Sequence, residues 1–89
     1  MKSRVVKIGY NPGIHFRPAD KITTKAFEYK SNIEIIKEKE NAYINAKSFL
    51  SLVGAGLKYE DEVLLKCDGE DEDKALDAMA EILENINQE

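Results

Sequence analysis

Cysteine, histidine and tryptophan are scarce in this sequence. Its 89 residues include one cysteine, Cys67, one histidine, His15, and no tryptophan. A lone cysteine cannot form an internal disulfide, and one cysteine with one histidine supplies too few ligands for a Cys/His zinc site. We therefore expect neither a disulfide framework nor a metal centre. Cys67 lies in an alternating apolar segment and is expected to be a small core residue rather than a redox group.

Long apolar runs and an excess of positive charge are also absent. No run approaches the roughly 18 apolar residues that a membrane helix needs, and the first residues lack the hydrophobic region of a signal peptide. We expect no membrane insertion and a cytoplasmic location. The formal net charge is −4, and the lysines are not interleaved with aromatic residues that would stack on bases. We therefore expect no nucleic-acid partner.

The composition is that of a folded globular protein. Hydrophobic residues make up 43% of the chain and charged residues 34%, a balance that argues against disorder. The length suits one modest core and is too short for two. We therefore predict a single domain over residues 1–89.

Apolar periodicity predicts seven elements in the order βαββαβα. Alternating or β-branched runs indicate strands near 5–8, 33–35, 42–44 and 63–67. Helical spacing predicts three helices: one carrying Ala19, Ile22, Ala26 and Tyr29, a short one over 47–53 that stops at Gly54, and a last one carrying Ala75, Leu76, Met79, Ile82, Leu83 and Ile86. Acidic residues at 70–73 suit the start of the last helix. The order favours an α+β fold in which three helices cover one face of a four-stranded antiparallel sheet.

The most distinctive segment is Gly13-Ile14-His15-Phe16-Arg17-Pro18-Ala19. It places His15 at a helix entrance, where the backbone N–H groups of Phe16 and Arg17 lack helical acceptors and can cradle an anion. The helix end and Arg17 should disfavour an extra proton on the imidazole and leave His15 nucleophilic. A phosphoryl carrier needs little more than such a nucleophile and nearby positive charge. The alternative is that His15 is only a polar loop residue.

This segment, the run Asn45-Ala46-Lys47-Ser48 and the acid-rich last helix together resemble HPr, the histidine-containing phosphocarrier family of the bacterial sugar phosphotransferase system. The resemblance covers essentially the whole chain. It implies an open-faced β-sandwich in which Enzyme I, charged by phosphoenolpyruvate, phosphorylates Nδ1 of His15. Enzyme IIA domains would then receive the group, with Arg17 as the charge partner. We expect a monomeric carrier, not an enzyme, that needs no cofactor.

The resemblance also gives Ser48 a second meaning. Ser48 matches the regulatory serine of HPr, and a phosphate at the start of the short helix would meet free N–H groups and a favourable dipole. HPr kinase/phosphorylase and a catabolite-control regulator are the partners that this role implies. The alternative is that Ser48 only caps the helix.

A docking surface is expected around the short helix. Phe49, Leu50 and Val53 are apolar on a helix too short to bury every face, and they match the HPr docking patch. Core packing is the alternative for Phe49. The residues expected to ring this patch and steer an acidic partner, unless they are merely solvated surface groups, are Lys21, Lys25 and Lys47.

Three positions depart from the HPr pattern. Phe16 and Asp20 replace residues that are usually small, and both fall on the expected docking face. Asp20 is three residues after Arg17, so it is expected to compete for the guanidinium or to repel phosphate. Glu60 replaces a common turn glycine, so we expect that turn to avoid the left-handed conformation.

Phe16 and Asp20 keep open an alternative function, that of a divergent HPr-like paralogue acting mainly as a regulatory binding module. A stand-alone enzyme is disfavoured, because the sequence has no nucleotide-binding glycine loop and no nucleophile–base pair beyond His15.

Overall fold

The computed structural model describes residues 1–85 and contains the seven predicted elements. Their bounds are β1 Lys2–Lys7, α1 Phe16–Ala26, β2 Asn32–Lys37, β3 Ala42–Asn45, α2 Phe49–Gly54, β4 Glu62–Asp68 and α3 Glu72–Glu84. A single 3-10 turn, Glu38–Glu40, joins β2 to β3. Ile86, which was predicted to extend the stripe of the last helix, lies outside the described residues.

The four strands form one antiparallel sheet in the order β1-β4-β2-β3. On one face, alternate strand residues are buried against the helices, as the period of two requires. The helices contribute Ala19, Ile22, Leu52, Ala75, Met79 and Leu83 to the same core. The predicted α+β class, an antiparallel sheet covered on one face by three helices, is therefore confirmed.

Cys67 belongs to this core. It is fully buried on β4, where it pairs in register with Lys2 on one side and Ile33 on the other. Burial raises the pKa of its thiol to about 11, so the thiol stays protonated at neutral pH and is a poor nucleophile. The geometry agrees with the structural role predicted for this residue.

The start of α2 differs from the prediction by two residues. The helix begins at Phe49, and Ser48 is its N-cap rather than a residue of its first turn. Asn45 holds the preceding segment in a turn, because its side-chain oxygen accepts from the Lys47 N–H at 2.9 Å and its carbonyl accepts from the Ser48 N–H at 2.9 Å. Such local bonds compete with helix formation. At the other end Gly54 is still helical, and the left-handed glycine is Gly56, with φ +68°.

The prediction for Glu60 is wrong. Glu60 adopts φ +71°, the conformation that the turn was expected to avoid. Hydrogen bonds to Ile8 hold the turn there: the Glu60 N–H donates to the Ile8 carbonyl at 2.8 Å, and the Ile8 N–H donates to the Asp61 carbonyl at 2.9 Å. A side chain in this region costs about 1–2 kcal/mol. The pairing of the turn with the end of β1 thus outweighs a local preference.

Asp71 joins the loop after α1 to the start of α3. Its carboxylate accepts from the Ser31 hydroxyl at 2.5 Å, from the Ser31 N–H at 3.0 Å and from the Lys30 N–H at 2.8 Å. Ser31 is fully buried, and Gly69 permits the approach, since a Cβ there would lie 2.6 Å from the Ser31 Cα. These bonds, led by the Ser31 hydroxyl, hold the pKa of Asp71 below its ordinary value.

Asp71→Asn should lower the melting temperature at neutral pH, because the amide keeps the shape but loses the charge and one acceptor. A carboxylate whose pKa is lowered on folding stabilises the fold above its unfolded pKa of about 3.9 and loses that effect as pH falls through the folded value. The difference between wild type and variant should therefore be constant from neutral pH down to mildly acidic pH and shrink below it. Thermal unfolding monitored by circular dichroism across pH measures this; a difference that persists unchanged in acid would contradict the assignment.

Candidate functional site

The loop that carries His15 is held against the segment before β4. The Ile14 N–H donates to the Leu57 carbonyl at 2.9 Å, and the Tyr59 N–H donates to the Pro12 carbonyl at 2.9 Å. Gly13 lies between these bonds, and a Cβ at this position would sit 2.4 Å from the Leu57 oxygen. Only glycine allows the two backbones to approach so closely, and the approach fixes where α1 begins.

His15 is the N-cap of α1. Its backbone is extended, with φ −101° and ψ −158°, and its carbonyl accepts from the Ala19 N–H at 3.0 Å. Its side chain is exposed and forms no capping hydrogen bond. Pro18 has no N–H, so the uncapped donors at this helix end are the N–H groups of Phe16 and Arg17. An anion attached to the imidazole would therefore meet free donors and the positive end of the helix dipole.

Arg17 is exposed beside this end. Within residues 1–85 its guanidinium forms no ion pair with a carboxylate, including that of Asp20. The expected competition of Asp20 for Arg17 is therefore not seen. Asp20 instead lines an open groove between α1 and α3. The charge of Arg17 is left available to an incoming group.

Two phenylalanines connect the starts of α1 and α2. The rings of Phe16 and Phe49, each the first helical residue after its N-cap, stack with centroids 6.1 Å apart and planes at 23°. Phe16 is 66% exposed, whereas Phe49 is half-buried and packs against the core. The stack places the helix ends that carry His15 and Ser48 side by side. From the sequence, Phe16 was interpreted only as a departure from the usual small residue, and this contact was not predicted. The available signal was an aromatic residue directly after each of the two candidate N-caps.

Ser48 has the geometry of a cap. Its hydroxyl oxygen accepts from the Ser51 N–H at 3.3 Å, which satisfies one free donor of α2. The hydroxyl lies at the helix end nearest the aromatic stack. In these contacts Ser48 acts as a helix cap.

The predicted docking residues differ in exposure and in their contacts. Leu50 is 79% exposed, whereas Val53 and Phe49 partly pack against the core. Phe49 therefore combines the two roles considered for it, packing in the core and exposure at the surface. The Lys47 ammonium donates to the Tyr29 carbonyl at 2.8 Å. The other two lysines, Lys21 and Lys25, line the groove between α1 and α3 together with Asp20.

Residues 1–85 bring together no group of three or more histidine, cysteine, aspartate or glutamate side chains that could hold a metal ion. Over the same residues, no helix combines the length and the apolar character needed to cross a membrane.

Comparison with known proteins decides the family. The model of the PTS HPr component phosphorylation site matches residues 2–85. The chain belongs to the HPr family. It is 42% identical to the phosphocarrier protein HPr of Lysinibacillus sphaericus over 71 residues, which cover 80% of this chain and 78% of that protein. The resemblance stated from the sequence is thereby confirmed, together with the general role of a phosphocarrier in the phosphotransferase system.

Solved structures of HPr-like proteins share the fold. HPr-C-His from Thermoanaerobacter tengcongensis superposes with a TM-score of 0.89 at 30% identity, covering 100% of this chain and 98% of that one. Crh, the catabolite repression containing protein of Bacillus subtilis, gives a TM-score of 0.72 at 29% identity, with 96% and 95% covered. This chain is thus similar both to a phosphocarrier and to a protein named for catabolite repression.

The aromatic stack should be energetically measurable. In a double-mutant cycle, Phe16→Ala and Phe49→Ala should show a coupling of about 0.5–1.5 kcal/mol in the free energy of unfolding, because each ring loses its partner when the other is removed. Urea denaturation of the four proteins gives the value. Phe27, also exposed but at the C-cap of α1 and not stacked on Phe49, is the control: a Phe27→Ala and Phe49→Ala cycle should be additive. Additivity in both cycles would contradict the contact.

Proposed function

We propose that His15 is the residue that carries the phosphoryl group, accepting it on Nδ1 from Enzyme I and passing it to Enzyme IIA domains. The observation that carries the proposal is the exposed His15 side chain at the N-cap of α1, which is not used for capping and lies beside the free N–H groups of Phe16 and Arg17. The match to a family model described by its phosphorylation site includes this segment.

The transfer is a displacement at phosphorus. The lone pair on Nδ1 of His15 forms a P–N bond while the bond between phosphorus and the donor atom of charged Enzyme I breaks, and that electron pair returns to the donor. The proton of the neutral imidazole stays on Nε2 throughout. Onward transfer to Enzyme IIA repeats the step in the opposite sense and regenerates His15, so no proton relay is needed on this chain.

The surroundings of His15 stabilise the charge that arrives. The free N–H groups of Phe16 and Arg17 can donate to phosphoryl oxygens, and the Arg17 guanidinium, free of any carboxylate within 4.0 Å in the described chain, adds a charge-assisted contact. All three groups are exposed, so their effect is moderate, as a carrier requires. A phosphoryl group held too tightly would not be passed on.

The proposal makes this chain a substrate of its partners rather than an enzyme. One chain contains every group named in the transfer, so a monomer suffices for the exchange and no cofactor takes part. Phosphoenolpyruvate supplies the group through Enzyme I, which implies a cytosolic location. Docking would use the apolar surface of Phe16, Phe49 and Leu50, with partner contacts from Val53, Lys47 and the groove residues Asp20, Lys21 and Lys25.

His15→Ala should abolish labelling by phosphoenolpyruvate and Enzyme I, because the acceptor nitrogen is gone. The fold should survive with a change within about 0.5 kcal/mol, since the side chain is exposed and makes no capping bond. Intact-mass measurement under alkaline conditions, which preserve phosphohistidine, gives the readout. Arg17→Ala is the companion variant and should slow labelling without abolishing it. Full labelling of the His15→Ala protein would disprove the acceptor role.

We propose further that Ser48 is a regulatory phosphorylation site, with HPr kinase/phosphorylase as the modifying partner and a catabolite-control regulator as the reader. Support comes from the position of the hydroxyl at an N-cap next to the stacked rings. A phosphate there would keep the cap by accepting from α2 donors and would add negative charge beside the docking surface. The alternative function, a paralogue that acts mainly through such regulatory binding, draws support from the similarity to Crh.

Ser48→Asp should slow phosphorylation of His15 by Enzyme I several-fold at low salt, because the added charge opposes docking, and the effect should decrease at high salt. Aspartate also caps helices well, so the fold should persist. Ser3→Asp, the same charge change on β1, is the matched control and should leave the rate unchanged. An equal rate for both variants would leave Ser48 with its capping role alone.

A further inference from the structure

The face of the sheet that the helices do not cover carries an apolar row across all four strands. Val5 of β1 is in register with Leu64 of β4, Leu64 with Ile36 of β2, and Ile36 with Tyr43 of β3. Each residue alternates with a neighbour buried against the helices, so the four side chains point to the opposite face. We refer to these four residues as the open-face stripe.

Three of the four residues of the stripe expose apolar surface to water. Val5 is 60% exposed and Tyr43 62% exposed at its two ends, Leu64 is half-buried, and Ile36 is buried with 6% of its surface exposed. Single exposed apolar residues are common on proteins, but a contiguous row is characteristic of an interaction surface. The uncovered face of an antiparallel sheet is normally polar, so the row is not explained by the fold.

The next row along the same face is polar and contains unused charge. It consists of Ser3, Lys66, Glu34 and Asn45 in register. Lys66 and Glu34 are cross-strand neighbours, yet among residues 1–85 neither forms an ion pair within 4.0 Å. On the other side of the stripe, Glu62 precedes Leu64 by two positions on β4.

We propose that the open-face stripe is the contact surface of a weak homodimer in which two copies pack sheet against sheet. A two-fold axis parallel to the strands places Leu64 opposite Ile36 of the second copy and Lys66 opposite its Glu34. An axis perpendicular to the strands, in the plane between the sheets, places Lys66 opposite the second copy's Glu62 instead. Either closed arrangement pairs Lys66 with a carboxylate twice, so the face is complementary to itself.

The size of the face sets the strength of the dimer. Four strands about 4.8 Å apart offer a face of a few hundred Å² per copy, roughly half of the ~800 Å² that each partner contributes to a standard stable interface. The association should therefore be weak and concentration-dependent. It would leave the helices, and with them His15, on the outside of both copies. The inference does not depend on the proposed role of His15, and its test needs no phosphoryl transfer.

Sedimentation velocity over a concentration series up to about 1 mM tests the proposal. Wild type should sediment increasingly as a dimer, and Tyr43→Glu or Val5→Glu should raise the dissociation constant at least tenfold, because a charge would be buried against an apolar row. Both positions are well exposed, so the variants should fold, as circular dichroism will verify. Leu50→Glu makes the same kind of change on the helical face and should leave the dimer unchanged.

Charge reversal identifies the arrangement. Lys66→Glu should weaken the dimer. Adding Glu34→Lys should restore it if the two-fold axis is parallel to the strands, and adding Glu62→Lys should restore it if the axis is perpendicular to them. A wild-type chain that remains monomeric up to about 1 mM would overturn the proposal, as would a dimer that is lost with Leu50→Glu and kept with Tyr43→Glu. Failure of both double variants to restore association would exclude the two-fold pairing of Lys66 and with it the proposed sheet-to-sheet dimer.

Discussion

The position of His15 depends on one backbone contact, the approach of Gly13 to Leu57. Paired hydrogen bonds on either side of Gly13 tie the loop after β1 to the segment before β4. Because α1 begins three residues later, at Phe16, this contact determines where its free N–H groups point. A side chain at Gly13 would collide with a carbonyl oxygen that the fold cannot move without displacing the same segment. The glycine of the motif is therefore a geometric requirement of the site.

The starts of α1 and α2 lie side by side on one surface. Each begins after an N-cap with a modifiable side chain, His15 or Ser48, and each has phenylalanine as its first helical residue. Stacking of Phe16 on Phe49 joins the two ends. A charge placed on one end lies next to the apolar surface that a partner of the other end must approach. This arrangement gives a physical route by which modification at one end would affect transfer at the other.

Prediction from sequence succeeded where one short segment contains the whole cause. The burial of Cys67 follows from alternation within β4, and the helix entrance at His15 follows from adjacent residues. It failed where a distant segment decides. Glu60 takes a left-handed conformation because the turn pairs with Ile8, and Phe16 stacks on a ring 33 positions away. Local propensity carries no information about such partners, because their energies depend on how the sheet and helices assemble.

The open-face stripe is a further feature that local sequence does not reveal. In sequence its four residues stand alone among polar or buried neighbours, and only the strand register brings them into one row. A sheet with helices on one face has two surfaces, and its outer face points away from the helices that carry the core and His15. A carrier can therefore acquire a second contact surface without altering the first. Self-association through that face would make the carrier bivalent, with two copies of His15 presented in opposite directions.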